Sequence, residues 1–238
     1  MTRLRLNTFT IALFLCHACN QQPLVSKTTT PDSDGFVINK KTLFESFEAC
    51  DIQSDNCTYI EITYPEMVGK NDEKINEIIK SEIFDLYFSD AEIVGAFDAS
   101  MIHFLRSYQE FKDNFPESTQ IWNKKIDYNI VNQTNDLISL KIQSYEFTGS
   151  AHPNTFTNFL NIDLNDAEKI DLEKIVSKDF RTKLNQLVDQ KYRNQNNLTA
   201  QDNLKEKKGL FEEKINASEN FAITKEGILF YFNNYDIG

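Results

Sequence analysis

The sequence contains little glycine and few histidines. Its seven glycines form neither the G-x-S-x-G pattern of a nucleophilic serine, nor a phosphate-binding loop, nor a dinucleotide-binding turn. The chain also has no internal repeat. These absences exclude the enzyme classes that such motifs identify, and we expect no cofactor.

Long apolar runs are missing too, apart from a short one near the start. Residues 9–16 are mostly apolar and follow a basic start, but they fall short of the about 20 residues that a membrane-spanning helix needs. This arrangement is typical of a secretory signal. Because Ala18 and Cys19 follow, we predict a lipoprotein signal peptide over residues 1–18 and lipidation of Cys19. The alternative is that the signal is cleaved without lipidation, which would leave a soluble periplasmic protein.

The segment after Cys19 is rich in Ser, Thr, Pro and Asp and has few large apolar residues. Such a composition predicts a flexible tether, here over residues 19–40. The lipid would hold the protein at the bacterial cell envelope, on the periplasmic or cell-surface side.

Basic residues are outnumbered in this chain. There are 25 Lys and Arg against 36 Asp and Glu, a net charge of −11. Removing Arg3 and Arg5 with the signal leaves 23 basic residues and a net charge of −13. Nucleic acid is therefore not an expected partner, because phosphate binding needs clusters of Lys and Arg.

Cysteine is equally scarce, and beyond Cys19 only Cys50 and Cys57 remain. In an oxidising compartment we expect these two to form a disulfide, which would contribute about 2 to 2.5 kcal/mol by the loop-entropy estimate. The alternatives are a metal site, although no histidine lies nearby, and a catalytic thiol. We predict no metal site.

Apolar periodicity predicts the main elements. Strands are expected around residues 60–64, 122–130, 138–142 and 160–164, helices over 72–88, 101–115 and 178–193, and a last hairpin around 225–227. Residues 194–208 are polar and predict a mobile loop or weak helix. The order of these elements favours an α+β fold, with helices packed on one face of an antiparallel sheet and enough chain for two small lobes.

The most specific stretch is the predicted hairpin over residues 136–164. Its loop contains Gly149, which allows positive φ, and Pro153, which restricts His152 to extended geometry. One interpretation makes this loop a recognition edge, with His152 as a ligand or an acid. The other makes it a constrained connection in which His152 hydrogen-bonds the backbone.

This stretch carries a resemblance to a known family. The pattern Y-x-x-T-G-[GS]-A-H followed by D-L resembles a domain of PdaC-type peptidoglycan deacetylases and the extracytoplasmic part of RsiV-type anti-sigma factors. The matching residues are Tyr145, Thr148, Gly149, Ala151, His152, Asp171 and Leu172. The closing FAITKEGILFYFNNYDIG resembles the end of the same region, so that the likeness covers about residues 57–238. Ser150 stands where the family usually has a second glycine, and the likeness stops at Gly238, where the family usually continues.

The resemblance implies a PdaC-type α+β lobe over residues 41–135 and an RsiV-like lobe over 136–238. A deacetylase needs a metal held by an aspartate and two histidines about one helical turn apart, whereas His103 and His152 are 49 positions apart. We therefore predict no catalytic residues and expect that the catalytic domain is absent.

The expected function is a non-catalytic envelope protein that binds peptidoglycan, another glycan or a lysozyme-like protein. Its predicted contact residues are Tyr145, Thr148, Gly149 and His152. The alternatives are a cell-wall glycan-modifying enzyme that uses His152 and a structural component of an envelope complex.

Overall fold

The computed structural model describes residues 36–53, 56–88 and 97–238. The predicted signal peptide, Cys19 and most of the predicted tether lie outside the described residues. The described strands are β1 (Val37–Ser46), β2 (Tyr59–Val68), β3 (Asn123–Gln133), β4 (Leu137–Phe147), β5 (Asn154–Asp163), β6 (Glu168–Lys169), β7 (Phe221–Thr224) and β8 (Gly227–Phe230). The described helices are α1 (Asp72–Tyr87), α2 (Phe97–Asn114), α3 (Leu172–Ile175), α4 (Lys178–Gln195) and α5 (Leu204–Lys208).

Strands β1 to β6 form one sheet in which spatial order follows sequence order. All neighbouring pairs are antiparallel except β2 and β3, which are parallel. A parallel pair needs a long crossover, and helices α1 and α2 lie in it. The predicted α+β fold is confirmed. Strand β1 was not predicted, and it begins inside the last part of the expected tether.

Helices α1 and α2 cover one face of this sheet. Ile75, Ile79 and Ile83 recur at helical spacing on α1 and are fully buried. They share a core with alternating strand residues such as Ile60 and Leu140. Among the described residues, no helix has both the length and the apolar character needed to cross a membrane.

A disulfide between Cys50 and Cys57 closes the connection between β1 and β2, with the two Cα atoms 5.5 Å apart. This confirms the predicted pairing. Within the same connection, the backbone N–H of Phe47 donates to the carbonyl of Thr58 at 2.9 Å. The bridge therefore holds the end of β1 against the start of β2.

The C-terminal part of the chain has a core of its own. Leu172, Leu184, Val188 and Leu204 come from the helices α3 to α5 and pack with Phe230 of the small β7–β8 sheet. The domain boundary predicted between residues 135 and 136 falls in the turn between β3 and β4, which pair within the six-stranded sheet. The second core begins only at Leu172.

Amide side chains join this C-terminal lobe to the sheet. Asn161 of β5 donates from Nδ2 to the carbonyl of Phe221 at 2.8 Å, and its Oδ1 accepts from the N–H of Ile223 at 3.0 Å. Asn220 and Asn233 hydrogen-bond the outer edge of β5, each contacting the backbone of Thr157. A strand edge that would otherwise be open is thereby covered.

Arg193 organises the polar segment after α4. Its side chain is only 7% exposed and pairs with Asp189 at 2.7 Å. It also donates to the carbonyls of Thr199, Asp202 and Glu213. Residues 194–208 were predicted as a mobile loop or weak helix. In the structure they include the short helix α5, and the buried guanidinium of Arg193 hydrogen-bonds their backbone.

Candidate functional site

The loop between β4 and β5 is held in a fixed shape by the segment before β3. Gly149 has φ of +85°, and a Cβ built there would lie 2.2 Å from Oε1 of Gln120. The Nε2 of Gln120 donates to the carbonyl of Gly149 at 3.2 Å. In turn, the carbonyl of Gln120 accepts from the hydroxyl of Tyr108 on α2 at 3.0 Å. Glycine is needed here because the backbone is left-handed and the space for a side chain is filled.

His152 is exposed at the tip of this hairpin. Its Nδ1 lies 3.1 Å from the carbonyl oxygen of Pro153, and its own carbonyl accepts from the hydroxyl of Ser150 at 2.7 Å. These contacts are those of the constrained-connection interpretation. His103 lies on α2, away from the hairpin in sequence. In the described ranges, no group of three or more His, Cys, Asp or Glu side chains is arranged to hold a metal ion.

Tyr145 lies on β4 and is 40% exposed. The strand register places it beside Lys125 of β3 on one side and Thr155 of β5 on the other. Successive residues of a strand point to opposite faces of the sheet. Ile142 and Ser144 are on the face that packs against the helices, so Tyr145 lies on the opposite face.

A transverse row of side chains continues from Tyr145 across this side of the sheet. Lys125 pairs in register with Glu61 of β2, and Glu61 pairs with Phe44 of β1. Phe44 is 41% exposed and stacks on Tyr59, with their ring centroids 5.8 Å apart. We call the surface formed by Phe44, Tyr59, Glu61, Lys125 and Tyr145 the open face.

A salt bridge lies in the middle of the open face. The Nζ of Lys125 is 3.0 Å from Oε1 of Glu61, and the hydrogen bond to Glu61 is the main cause that raises the pKa of Lys125. Lys125 therefore stays charged at neutral pH, and its charge is balanced by its partner. An exposed aromatic ring flanks this pair on each side.

The four predicted contact residues lie at one end of the sheet. Tyr145 belongs to the open face, while Thr148, Gly149 and His152 lie in the loop that follows β4. Sequence reasoning missed Phe44, Glu61 and Lys125. Glu61 and Lys125 lie in the strands predicted around residues 60–64 and 122–130 but were not predicted as contact residues, and Phe44 lies on the strand that was not predicted.

A second surface feature lies on the C-terminal lobe. It is an open groove lined by Leu210, Phe211, Ile215, Phe232 and Ile237, among others. Phe211 is exposed, and its backbone N–H donates to the carbonyl of Ile237 at 2.8 Å. This groove contains none of the predicted contact residues.

Comparison with known proteins gives two family matches. Residues 52–155 match the family described as "Deacetylase PdaC", and residues 171–238 match "Protein of unknown function (DUF3298)". The search of curated proteins returns no match.

The solved structures that share the fold include two DUF3298 family proteins. A DUF3298 family protein from Pseudomonas aeruginosa has a TM-score of 0.67 at 15% identity, over 86% of each chain. A DUF3298 family member from Bacteroides fragilis has a TM-score of 0.63 at 22% identity, also over 86% of each chain. The expected resemblance is confirmed by these matches.

Proposed function

Since the chain joins a PdaC domain to a DUF3298 domain, we propose that this envelope-associated protein is a non-catalytic binder of peptidoglycan. Domains of the PdaC type point to an extracytoplasmic location, where the cell wall is the abundant polymer. The observation that carries the proposal is the open face, because the exposed rings of Phe44 and Tyr145 lie there on either side of a polar pair.

The geometry of His152 supports binding rather than catalysis. Its Nδ1 contacts the carbonyl of its own neighbour at 3.1 Å, so the ring serves the shape of the loop. General acid or base chemistry needs a group positioned on the reacting atom, whereas the only hydrogen-bond contact of the His152 ring among the described residues is with the loop backbone. A glycan-modifying enzyme built on this histidine is therefore the less favoured candidate.

The predicted signal sequence supports attachment to a membrane. In this proposal Cys19 carries the lipid that holds the protein there. Changing Cys19 to Ala should move the protein from the membrane fraction to the soluble fraction of cells. Equal membrane retention of this variant would count against the anchor.

Sedimentation with insoluble peptidoglycan tests the binding itself. The purified protein is spun with peptidoglycan, with silica particles as a control that contains no sugar, and its affinity for lysozyme is measured in parallel. We expect the protein in the peptidoglycan pellet and in the silica supernatant. Binding to lysozyme but not to peptidoglycan would replace the proposal by protein recognition, and binding to neither would refute both.

A further inference from the structure

We propose that the open face is the binding site and that its ligand is an uncharged stretch of polysaccharide lying across strands β1 to β4. This inference rests on the proposed function and names the part of peptidoglycan that is recognised: the glycan strand rather than the stem peptide. It also moves the predicted site from the hairpin tip to the face of the sheet.

The shape of the open face fits an extended ligand. Phe44 on β1 and Tyr145 on β4 are separated by three strand spacings, or about 14 Å. Both rings are exposed, at 41% and 40%, and they belong to the same register row. A polymer that crosses the strands along this row contacts one ring, then the polar pair, then the second ring.

The chemistry of the row fits sugar rings. A pyranose has an apolar face of C–H groups and a rim of hydroxyls, so it needs a flat apolar partner beside donors and acceptors. The rings of Phe44 and Tyr145 supply the apolar partners. The Lys125 ammonium can donate to a hydroxyl, and the Glu61 carboxylate can accept from one.

The charges of the row select against other partners. Lys125 and Glu61 neutralise each other at 3.0 Å, and the charge of Asp127, two residues further along β3, also acts on Lys125, so the site has no excess positive charge. Protein interfaces are depleted of charged residues at their centre, whereas this surface has a charged pair there. A nucleic acid or an anionic lipid surface would need a cluster of Lys and Arg, and the chain is acidic overall.

The loop after β4 has a supporting role in this account. Gly149 and Gln120 fix the loop, which borders the end of the row at Tyr145. The disulfide between Cys50 and Cys57 fixes the chain near the other end of the row, because it closes the turn that follows β1 and precedes Tyr59. Thr148, Gly149 and His152 then position the site without forming its contact surface.

The test compares Phe44→Ala and Tyr145→Ala with the control Phe180→Ala. Phe180 is 47% exposed and lies on α4, so its truncation removes a similar ring from a different surface. All variants are assayed on whole peptidoglycan and on chitin oligosaccharides, which are neutral chains of N-acetylglucosamine without stem peptides. Thermal unfolding confirms that each variant is folded.

We expect Phe44→Ala and Tyr145→Ala each to weaken binding to both polymers roughly three- to tenfold, as loss of one aromatic contact would. Phe180→Ala should bind like the wild type. If the wild type binds peptidoglycan but all three variants bind equally well, the site is wrong and the proposed function stands. If the wild type binds only polymer that retains its stem peptides, the glycan assignment is wrong. If it does not bind peptidoglycan at all, the proposed function fails.

Discussion

Replacing Arg193 with Ala should destabilise the C-terminal lobe more than any surface substitution. The guanidinium is buried and uses its N–H groups on the Asp189 carboxylate and on three backbone carbonyls. Asp189 depends on this pairing and also accepts from the N–H of Ile215 at 3.0 Å. The substitution therefore leaves a poorly solvated carboxylate and removes the donors of three carbonyls at once.

The magnitude follows from the burial of this pair. The side chain of Arg193 is 7% exposed and that of Asp189 is 17% exposed. Removing one partner of a buried ion pair costs about 3 to 5 kcal/mol, because the remaining charge is uncompensated. For a chain of this size, that loss corresponds to a fall in Tm of roughly 6 to 20 °C.

Thermal and urea unfolding followed by circular dichroism measure the effect, with Arg181→Ala as the control. Arg181 also lies on α4 and contacts Glu173 and Glu219, but its side chain is 32% exposed. An exposed pair contributes about 0 to 1 kcal/mol, so the control should stay close to the wild type. If Arg193→Ala costs no more than Arg181→Ala, Arg193 is not the group that fastens residues 194–215.

Three further predictions use the same unfolding assay. Gly149→Ala should lower the free energy of unfolding by about 1 to 2 kcal/mol because the residue has φ of +85°, and an unchanged stability would mean that the loop relaxes freely. Asn161→Ala should lower the free energy of unfolding by about 2 to 4 kcal/mol, because the N–H of Ile223 and the carbonyl of Phe221 lose their hydrogen-bond partner. A loss below about 1 kcal/mol would show that the packing of the C-terminal lobe on the sheet does not depend on this amide. Burial, and then the charge of Glu82, raise the pKa of Tyr87 above its ordinary 10.0. Unfolding should therefore become easier as pH rises past about 10, since the unfolded chain releases this proton first, and Tyr87→Phe should make that decline shallower; an unchanged slope would contradict it.

Local patterns were sufficient to predict most of the sheet and the three long helices. Ile138, Leu140 and Ile142 alternate because one face of β4 is buried, and that alternation is visible in the sequence. The first strand was predicted around residues 60–64, but β2 continues through Pro65 to Val68. Its pairing with β3 ends at Ile62, so Pro65 lies where β2 pairs with β1 alone, and proline is tolerated at such an edge.

Strand β1 gave no clear signal because it is an edge strand with mostly exposed side chains. Lys40 and Lys41 interrupt any apolar alternation, and lysine is common on edges because it discourages pairing with other chains. The register that brings Phe44 beside Glu61 is set by tertiary pairing. For this reason the open face could not be assembled from the sequence.

The role of Arg193 could not be predicted from the sequence either. A single arginine near the end of an amphipathic helix predicts a solvated charge, since most arginines are exposed. Its burial depends on carbonyls from residues 199, 202 and 213, which the chain brings back to α4 only after folding. A polar composition therefore predicted mobility where the structure has a fastened segment.

The most direct test of the binding account is chemical-shift mapping by NMR of the isotope-labelled protein with soluble glycan strands. The account predicts that the largest shifts fall on Phe44, Glu61, Lys125 and Tyr145, with smaller shifts at Thr148 to His152. Shifts concentrated instead around Phe211 and Ile237 would place the site on the C-terminal lobe and contradict the open face. An unchanged spectrum at saturating glycan would contradict glycan binding altogether.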